Sequence, residues 1–201
     1  MSDAAKTIFF DLGNVLLFFD LGKMRKQIAQ FSGLSLPIIR KEISKLFEPY
    51  EKGDIATKDL HAHFCSLAGK PLGYQGLLHA VADIFIPNEP VISLLPLLKE
   101  NGVRLFLLSN TCEAHFSYAY QQFPFLHLFD GYILSYKVGA RKPDAHIFEE
   151  ALRVANCQRN HCFYTDDIPE YVAAAKDLHI DAELFTSVDA LKTQLRTRNL
   201  L

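Results

Sequence analysis

After Asn88 the chain alternates short apolar runs with amphipathic stretches, and no other feature restricts its fold as much. The pattern predicts strands over 103–108, 132–134, 162–165 and 182–185, and helices over 90–100, 111–122, 144–155, 169–178 and 188–198. Strands joined through helices of this length form a mainly parallel sheet with helices packed on it. One more strand lies near the beginning. Thr7-Ile8-Phe9-Phe10 is apolar on both alternating sets, as a strand buried on both faces requires. Asp11-Leu12-Gly13-Asn14 then stops it with a loop signal.

Between these regions the periodicity is helical. Met24, Ile28 and Phe31 form one stripe, and Ile38, Ile39, Ile43 and Phe47 a second. Leu60, Phe64 and Leu67 form a third, and Leu77, Leu78, Val81 and Phe85 a fourth. Gly33, residues 49–53 and residues 69–73 separate them. The expected architecture is α/β, with a core from 1–16 and 89–201 and an inserted helical segment over 17–88.

Composition narrows the function. Hydrophobic residues make up 49% and charged residues 22%, the balance of a soluble globular protein. A formal net charge of −2 leaves no broad basic surface for a nucleic-acid backbone. A small anion needs only one local positive site and stays open as a ligand. Cys65, Cys112, Cys157 and Cys162 contain no C-x-x-C pair, so they read as reduced thiols of a cytoplasmic protein. His61 and His63 are two apart and read as surface residues rather than metal ligands. Neither a signal peptide nor a membrane span is expected. The aromatic-rich stretch 116–129 suits either core or an interface, so monomer and homodimer both stand.

In open parallel sheets, ligands sit outside the carboxyl ends of the strands. Those ends carry Asp11, then Ser109-Asn110-Thr111, then Lys142 in the following loop, then Asp166-Asp167. Each has a local explanation. Asp11 suits a turn, Ser109 to Thr111 suit a helix N-cap, and an Asp before Pro169 suits a cap as well. Taken together they call for more. Two unit charges 4 Å apart repel by about 4 kcal/mol at an effective dielectric near 20, so three carboxylates on one rim ask for a cation. Oxygen-only ligands suit Mg²⁺, which also binds substrate phosphate.

The four segments resemble the motifs of the haloacid dehalogenase superfamily. They read Ile8-Phe9-Phe10-Asp11-Leu12-Gly13-Asn14-Val15-Leu16, Leu107-Leu108-Ser109-Asn110, Gly139-Ala140-Arg141-Lys142-Pro143-Asp144 and Phe163-Tyr164-Thr165-Asp166-Asp167. Tyr50-Glu51-Lys52-Gly53-Asp54-Ile55 is similar to a segment of the branch that holds bacterial sugar-1-phosphate phosphatases and the phosphatase domain of epoxide hydrolases. The resemblance implies a Rossmann-like three-layer core with an inserted α-helical cap. It implies a Mg²⁺-dependent phosphatase acting on a small phosphorylated metabolite through an aspartyl-phosphate on Asp11. By the same resemblance Ser109, Asn110 and Lys142 bind the phosphoryl group, and Asp11, the Gly13 carbonyl, Asp166 and Asp167 surround the metal.

Gly13 departs from that pattern. Most phosphatases of the family carry a second Asp there as acid and base, and losing such a catalyst removes roughly 10²–10⁴-fold in rate. A sugar 1-phosphate has an acidic leaving group and tolerates the loss. Tyr171 replaces a family Asn after the acid pair, and His179 a Gly before the last strand. Two alternatives follow: a metal-free 2-haloacid dehalogenase, against which Asp166-Asp167 argues, and a degenerate protein that binds a phospho-ligand without turnover.

Overall fold

The computed structural model describes residues 7–201. Residues 1–6, assigned from sequence to the core segment and read as carrying no leader, lie outside the described residues. The elements run β1 (Thr7–Phe10), β2 (Leu17–Phe19), α1 (Leu21–Ser32), α2 (Leu36–Lys52), α3 (Thr57–Ala68), α4 (Tyr74–Ala82), β3 (Phe85–Pro87), α5 (Glu89–Ile92) and α6 (Leu94–Glu100). There follow β4 (Arg104–Ser109), α7 (Glu113–Gln122), β5 (Gly131–Leu134), α8 (Ser135–Val138), α9 (Ala145–Ala155), β6 (Cys162–Asp166), α10 (Pro169–Asp177), β7 (Asp181–Leu184) and α11 (Val188–Thr197).

Five strands form one sheet in the order β5-β4-β1-β6-β7, with every pairing parallel. From β1 the chain adds β4 and β5 on one side, then crosses to add β6 and β7 on the other. The order therefore reverses at β1, and a crevice opens at such a reversal outside the carboxyl ends. β1 takes the central place because all four of its residues are buried. Ile8 and Phe10 pack into one apolar layer with Leu105, Leu107 and Phe163, while Phe9 packs into the other with Phe106, Leu108 and Tyr164. Each buried Phe ring of this strand contributes about 1.5–3 kcal/mol.

β2 and β3 pair antiparallel as a separate ribbon, Phe18 opposite Ile86 and Phe19 opposite Phe85. Helices α1 to α4 lie between them in sequence and surround a third apolar cluster that includes Met24, Ile28, Ile39, Ile43, Phe64 and Leu77. Cys112 and Ala114, at the beginning of α7, belong to the same cluster. Asp20 caps α1 by accepting from the Gly22 and Lys23 N–H groups at 2.7 and 2.9 Å. α2 ends at Gly53, whose φ is 81° and whose missing side chain lets the Tyr136 carbonyl oxygen approach.

Two expectations need correction. The helix expected over 90–100 is two pieces, α5 and α6, meeting at Ser93. Pro96 has no N–H to donate to the Ile92 carbonyl, so a continuous ladder would fail at that point. Phe85, read into the fourth helical stripe, lies in β3 because α4 stops at Ala82. Among the described residues no helix is long and apolar enough to cross a membrane. In the stretch 116–129, Phe116, Leu126 and Phe129 are buried, and Phe123, Phe125 and Leu128 pack partly buried against the same core.

Candidate active site

Asp11 continues β1 by one residue, its N–H donating to the Thr165 carbonyl at 3.1 Å. Ser109 ends β4 and Asp166 ends β6, so both emerge beside it at the sheet edge. Lys142 reaches back from the loop after α8 and is 2% exposed. Its ammonium donates to Asp11 Oδ1 and to Asp166 Oδ2, both at 2.6 Å, and to the Leu108 carbonyl at 3.0 Å. Asp166 is held further by the Tyr164 hydroxyl at Oδ2 and by the Ile168 N–H at Oδ1, at 2.8 Å. Asp167 Oδ2 accepts from the Asn14 amide at 3.0 Å.

Asn110 acts on the lysine's backbone. Its Oδ1 accepts from the Lys142 N–H at 2.8 Å, and its Nδ2 donates to the Lys142 carbonyl at 2.9 Å. Nδ2 is also 3.3 Å from the Tyr171 hydroxyl. The Tyr171 ring lies 5.2 Å from the lysine nitrogen, at cation–π distance. The residue standing in place of the family Asn thus contributes an aromatic face to Lys142.

The charges do not balance. Burial pushes the Asp11 carboxyl up to about 7; Lys142 opposes this, and Asp166 adds to it. Burial also draws the Lys142 ammonium down, but Asp11 and Asp166 outweigh it and hold the lysine above its ordinary value. Asp167 is raised too, first by burial and then by Asp166, against the hydrogen bond from Asn14. One oxygen from each of Asp11, Asp166 and Asp167 lies within 4.8 Å of the others. Three carboxylates against one ammonium leave a net negative charge in a buried place. The donor set is all oxygen, so these residues fit a hard divalent cation.

Position 13 explains its own glycine. A Cβ there would sit 2.9 Å from Phe19 Cε1 and 3.6 Å from Asp11 Oδ2. The Phe19 ring crowds the space that a side chain at 13 would enter.

A cavity of about 240 Å³ opens above this cluster. Asp11, Gly13, Ser109, Asn110, Lys142, Asp166 and Asp167 all line it. Phe19 and Glu51 line it as well. Phe18 does not; it is 45% exposed and pairs with Ile86. Tyr50 is buried, its hydroxyl 2.9 Å from Thr57 Oγ1 and accepting from the Ala114 N–H at 3.3 Å.

Sequence reasoning missed Phe47, His115 and the role of Arg141. Arg141 Nη2 reaches Glu51 Oε2 at 2.8 Å and joins α2 to the Lys142 loop. Burial raises the Glu51 carboxyl, and Arg141 opposes this. Burial pushes His115 down to about 4, so the ring is neutral; its Nε2 donates to the Val81 carbonyl at 3.2 Å. Phe47 carries a signal in hindsight, as the last member of the second helical stripe. His115 carries none, since nothing local marks it as facing a cavity.

A parallel α/β sheet with buried acids and a lysine at its carboxyl edge defines the class as a Rossmann-like α/β protein with a charged crevice. A family model described as haloacid dehalogenase-like hydrolase matches residues 5–179. A glyceraldehyde 3-phosphate phosphatase of Methanothermobacter thermautotrophicus is 30% identical over 171 residues, covering 76% of this chain and 73% of the relative. The chain belongs to the haloacid dehalogenase-like hydrolases. It is also 24% identical to a sesquiterpene phosphatase of Aspergillus oryzae over 212 residues, covering 100% and 99% of the two chains. A family enzyme of Bacteroides thetaiotaomicron, solved in complex with magnesium and inorganic phosphate, shares the fold with a TM-score of 0.78. The two chains are 23% identical, over 90% of this chain and 94% of that one.

Proposed function

We propose that this hydrolase is a Mg²⁺-dependent phosphatase of small phosphate monoesters, with Asp11 as nucleophile. The buried Asp11–Lys142–Asp166 cluster, with Asp167 beside it, carries this reading. Lys142 fixes Oδ1 of Asp11, and Oδ2 faces position 13 in the cavity. Oδ2 attacks phosphorus, forming an O–P bond as the ester P–O bond breaks and the alcohol takes a proton from solvent. Water then cleaves the aspartyl-phosphate, releasing phosphate and restoring the carboxylate. Lys142 offsets negative charge on Asp11 and the phosphoryl oxygens throughout, Ser109 donates to a phosphoryl oxygen, and Asn110 holds the lysine in register. Asp11, Asp166, Asp167 and the Gly13 carbonyl would hold Mg²⁺, which supplies charge neutralisation and alignment when bound.

The helices of 17–88 act as a cap whose Glu51 and Phe47 close the cavity from above. Free cysteines at 65, 112, 157 and 162 suit a cytoplasmic setting. Phosphate release from p-nitrophenyl phosphate tests the reading. Turnover must require Mg²⁺, stop in EDTA, and vanish in Asp11→Asn; turnover that survives either treatment refutes it. A second reading rests on Phe19 crowding position 13: a protein that binds phosphate esters without releasing phosphate. Saturable ester binding with no turnover would establish that one.

A further inference from the structure

The acids, lysine and serine of the cavity come from the carboxyl edge of the sheet, and another part of its lining is of a different chemistry. It is built from Phe19, Leu21, Phe47, Ile84, Phe85 and His115. The histidine belongs with the apolar members, because its buried ring carries no charge and its Nε2 hydrogen is taken by Val81. The charges on this side belong to Glu51 and Arg141, which answer each other at 2.8 Å. Apart from that ion pair, Arg141 Nε and Glu51 Oε2 are both buried without a hydrogen-bond partner, so this corner offers one donor and one acceptor, and the several hydroxyls of a sugar would find few further groups to bond. Burying unmatched hydroxyls is unfavourable, whereas burying carbon is favourable.

Behind the wall a small apolar void of about 10 Å³ continues into the helical segment, lined by Met24, Ile43, Leu60 and Val81 among others. Phe47 and His115 line both spaces, so they form the partition between them.

We propose that the organic half of the substrate is apolar, an alkyl or aryl group seated against Phe19, Phe85 and Phe47, and that Phe47 sets the length accepted. This rests on the phosphatase reading of the same site and departs from the sugar phosphate that Gly13 alone suggests. An aromatic alcohol satisfies both demands. It matches the wall, and it leaves as a phenolate with little need of the acid absent at position 13.

The test is a series of 4-alkylphenyl phosphates from methyl to hexyl, assayed with Mg²⁺ beside glucose 1-phosphate. The leaving group stays constant while the chain grows. We expect kcat/KM to rise about fourfold per buried methylene until the space is filled, and to exceed that for glucose 1-phosphate. Phe47→Ala opens the partition and moves the optimum to longer chains. A flat series, or glucose 1-phosphate as the better substrate, overturns the inference; this holds for the wild-type protein even if Phe47→Ala does not fold. Calorimetry with the matching 4-alkylphenylphosphonates separates the two claims. Affinity that climbs with chain length while no ester turns over keeps the apolar wall and discards the phosphatase. Affinity independent of length, with no turnover, overturns both.

Discussion

Replacing Asp11, the proposed nucleophile, should stabilise the metal-free protein. Asp11 has an ordinary carboxyl pKa of 3.8 when unfolded and about 7 when folded, because burial with two other acids disfavours its charge. The sign follows from proton linkage. The folded state holds the proton more tightly, so below about pH 4 the group is neutral in both states and contributes nothing. As pH rises from there through about 7, folding must keep a buried proton or bury a charge, and stability falls. At about 1.4 kcal/mol per pH unit, the loss is about 1 kcal/mol at pH 4.5 and about 4 kcal/mol at pH 8. Asp11→Asn keeps the size and an acceptor for Lys142 but never ionises. In EDTA, urea unfolding should find the variant more stable by about 2–4 kcal/mol at pH 8, with most of the gain gone at pH 4.5. Adding Mg²⁺ should stabilise wild type more than variant and narrow the gap at pH 8. A variant less stable than wild type at pH 8, or a gap that ignores pH, would refute the account of the cluster.

Other perturbations read separate parts of the site. Gly13→Asp alone should not speed phosphate release, since Phe19 crowds its Cβ at 2.9 Å. Paired with Phe19→Ala it should raise turnover of alkyl phosphates over Phe19→Ala alone while changing p-nitrophenyl phosphate little, as steady-state assays would show. Asn110→Ala removes both bonds to the Lys142 backbone and should lower kcat by about 10–100-fold, with KM for p-nitrophenyl phosphate as the control for binding. Gly53→Ala places a Cβ against the Tyr136 carbonyl at a φ of 81° and should lower stability by about 2 kcal/mol or more in urea titration.

The sheet was legible because a central parallel strand leaves an unusual mark. Ile8 to Phe10 has no polar alternate, and only burial on both faces permits that. The site was legible for a related reason: the residue that ends such a strand stands at the crevice, as Asp11, Ser109 and Asp166 do. Contacts between distant segments were not legible. Phe19 meets position 13, Arg141 meets Glu51, and His115 meets Phe47 across 6.4 Å between ring centroids, each without a local pattern. β2 and β3 were missed because three residues are too few to show alternation, and the break at Ser93 was missed because the leucines on both sides of Pro96 keep one apolar run going through it. Asn110 illustrates the limit most sharply. Its place at a strand end is visible in sequence, but both ends of its amide serve the Lys142 backbone, and only the fold reveals that.

The central position of β1 also bears on the birth of the protein. On the ribosome, this apolar strand is made before either strand that pairs with it, and Arg104, which contacts Thr7, follows 97 residues later. Lys142, the counter-ion of Asp11, follows 131 residues after it. Until β4 is made the nascent chain carries an apolar strand with no partner, and until Lys142 is made it carries an acid with no counter-ion. Its dependence on chaperones should fall in steps, first when β4 covers one edge of the strand, and again when Lys142 and then β6 with Asp166 complete the cluster.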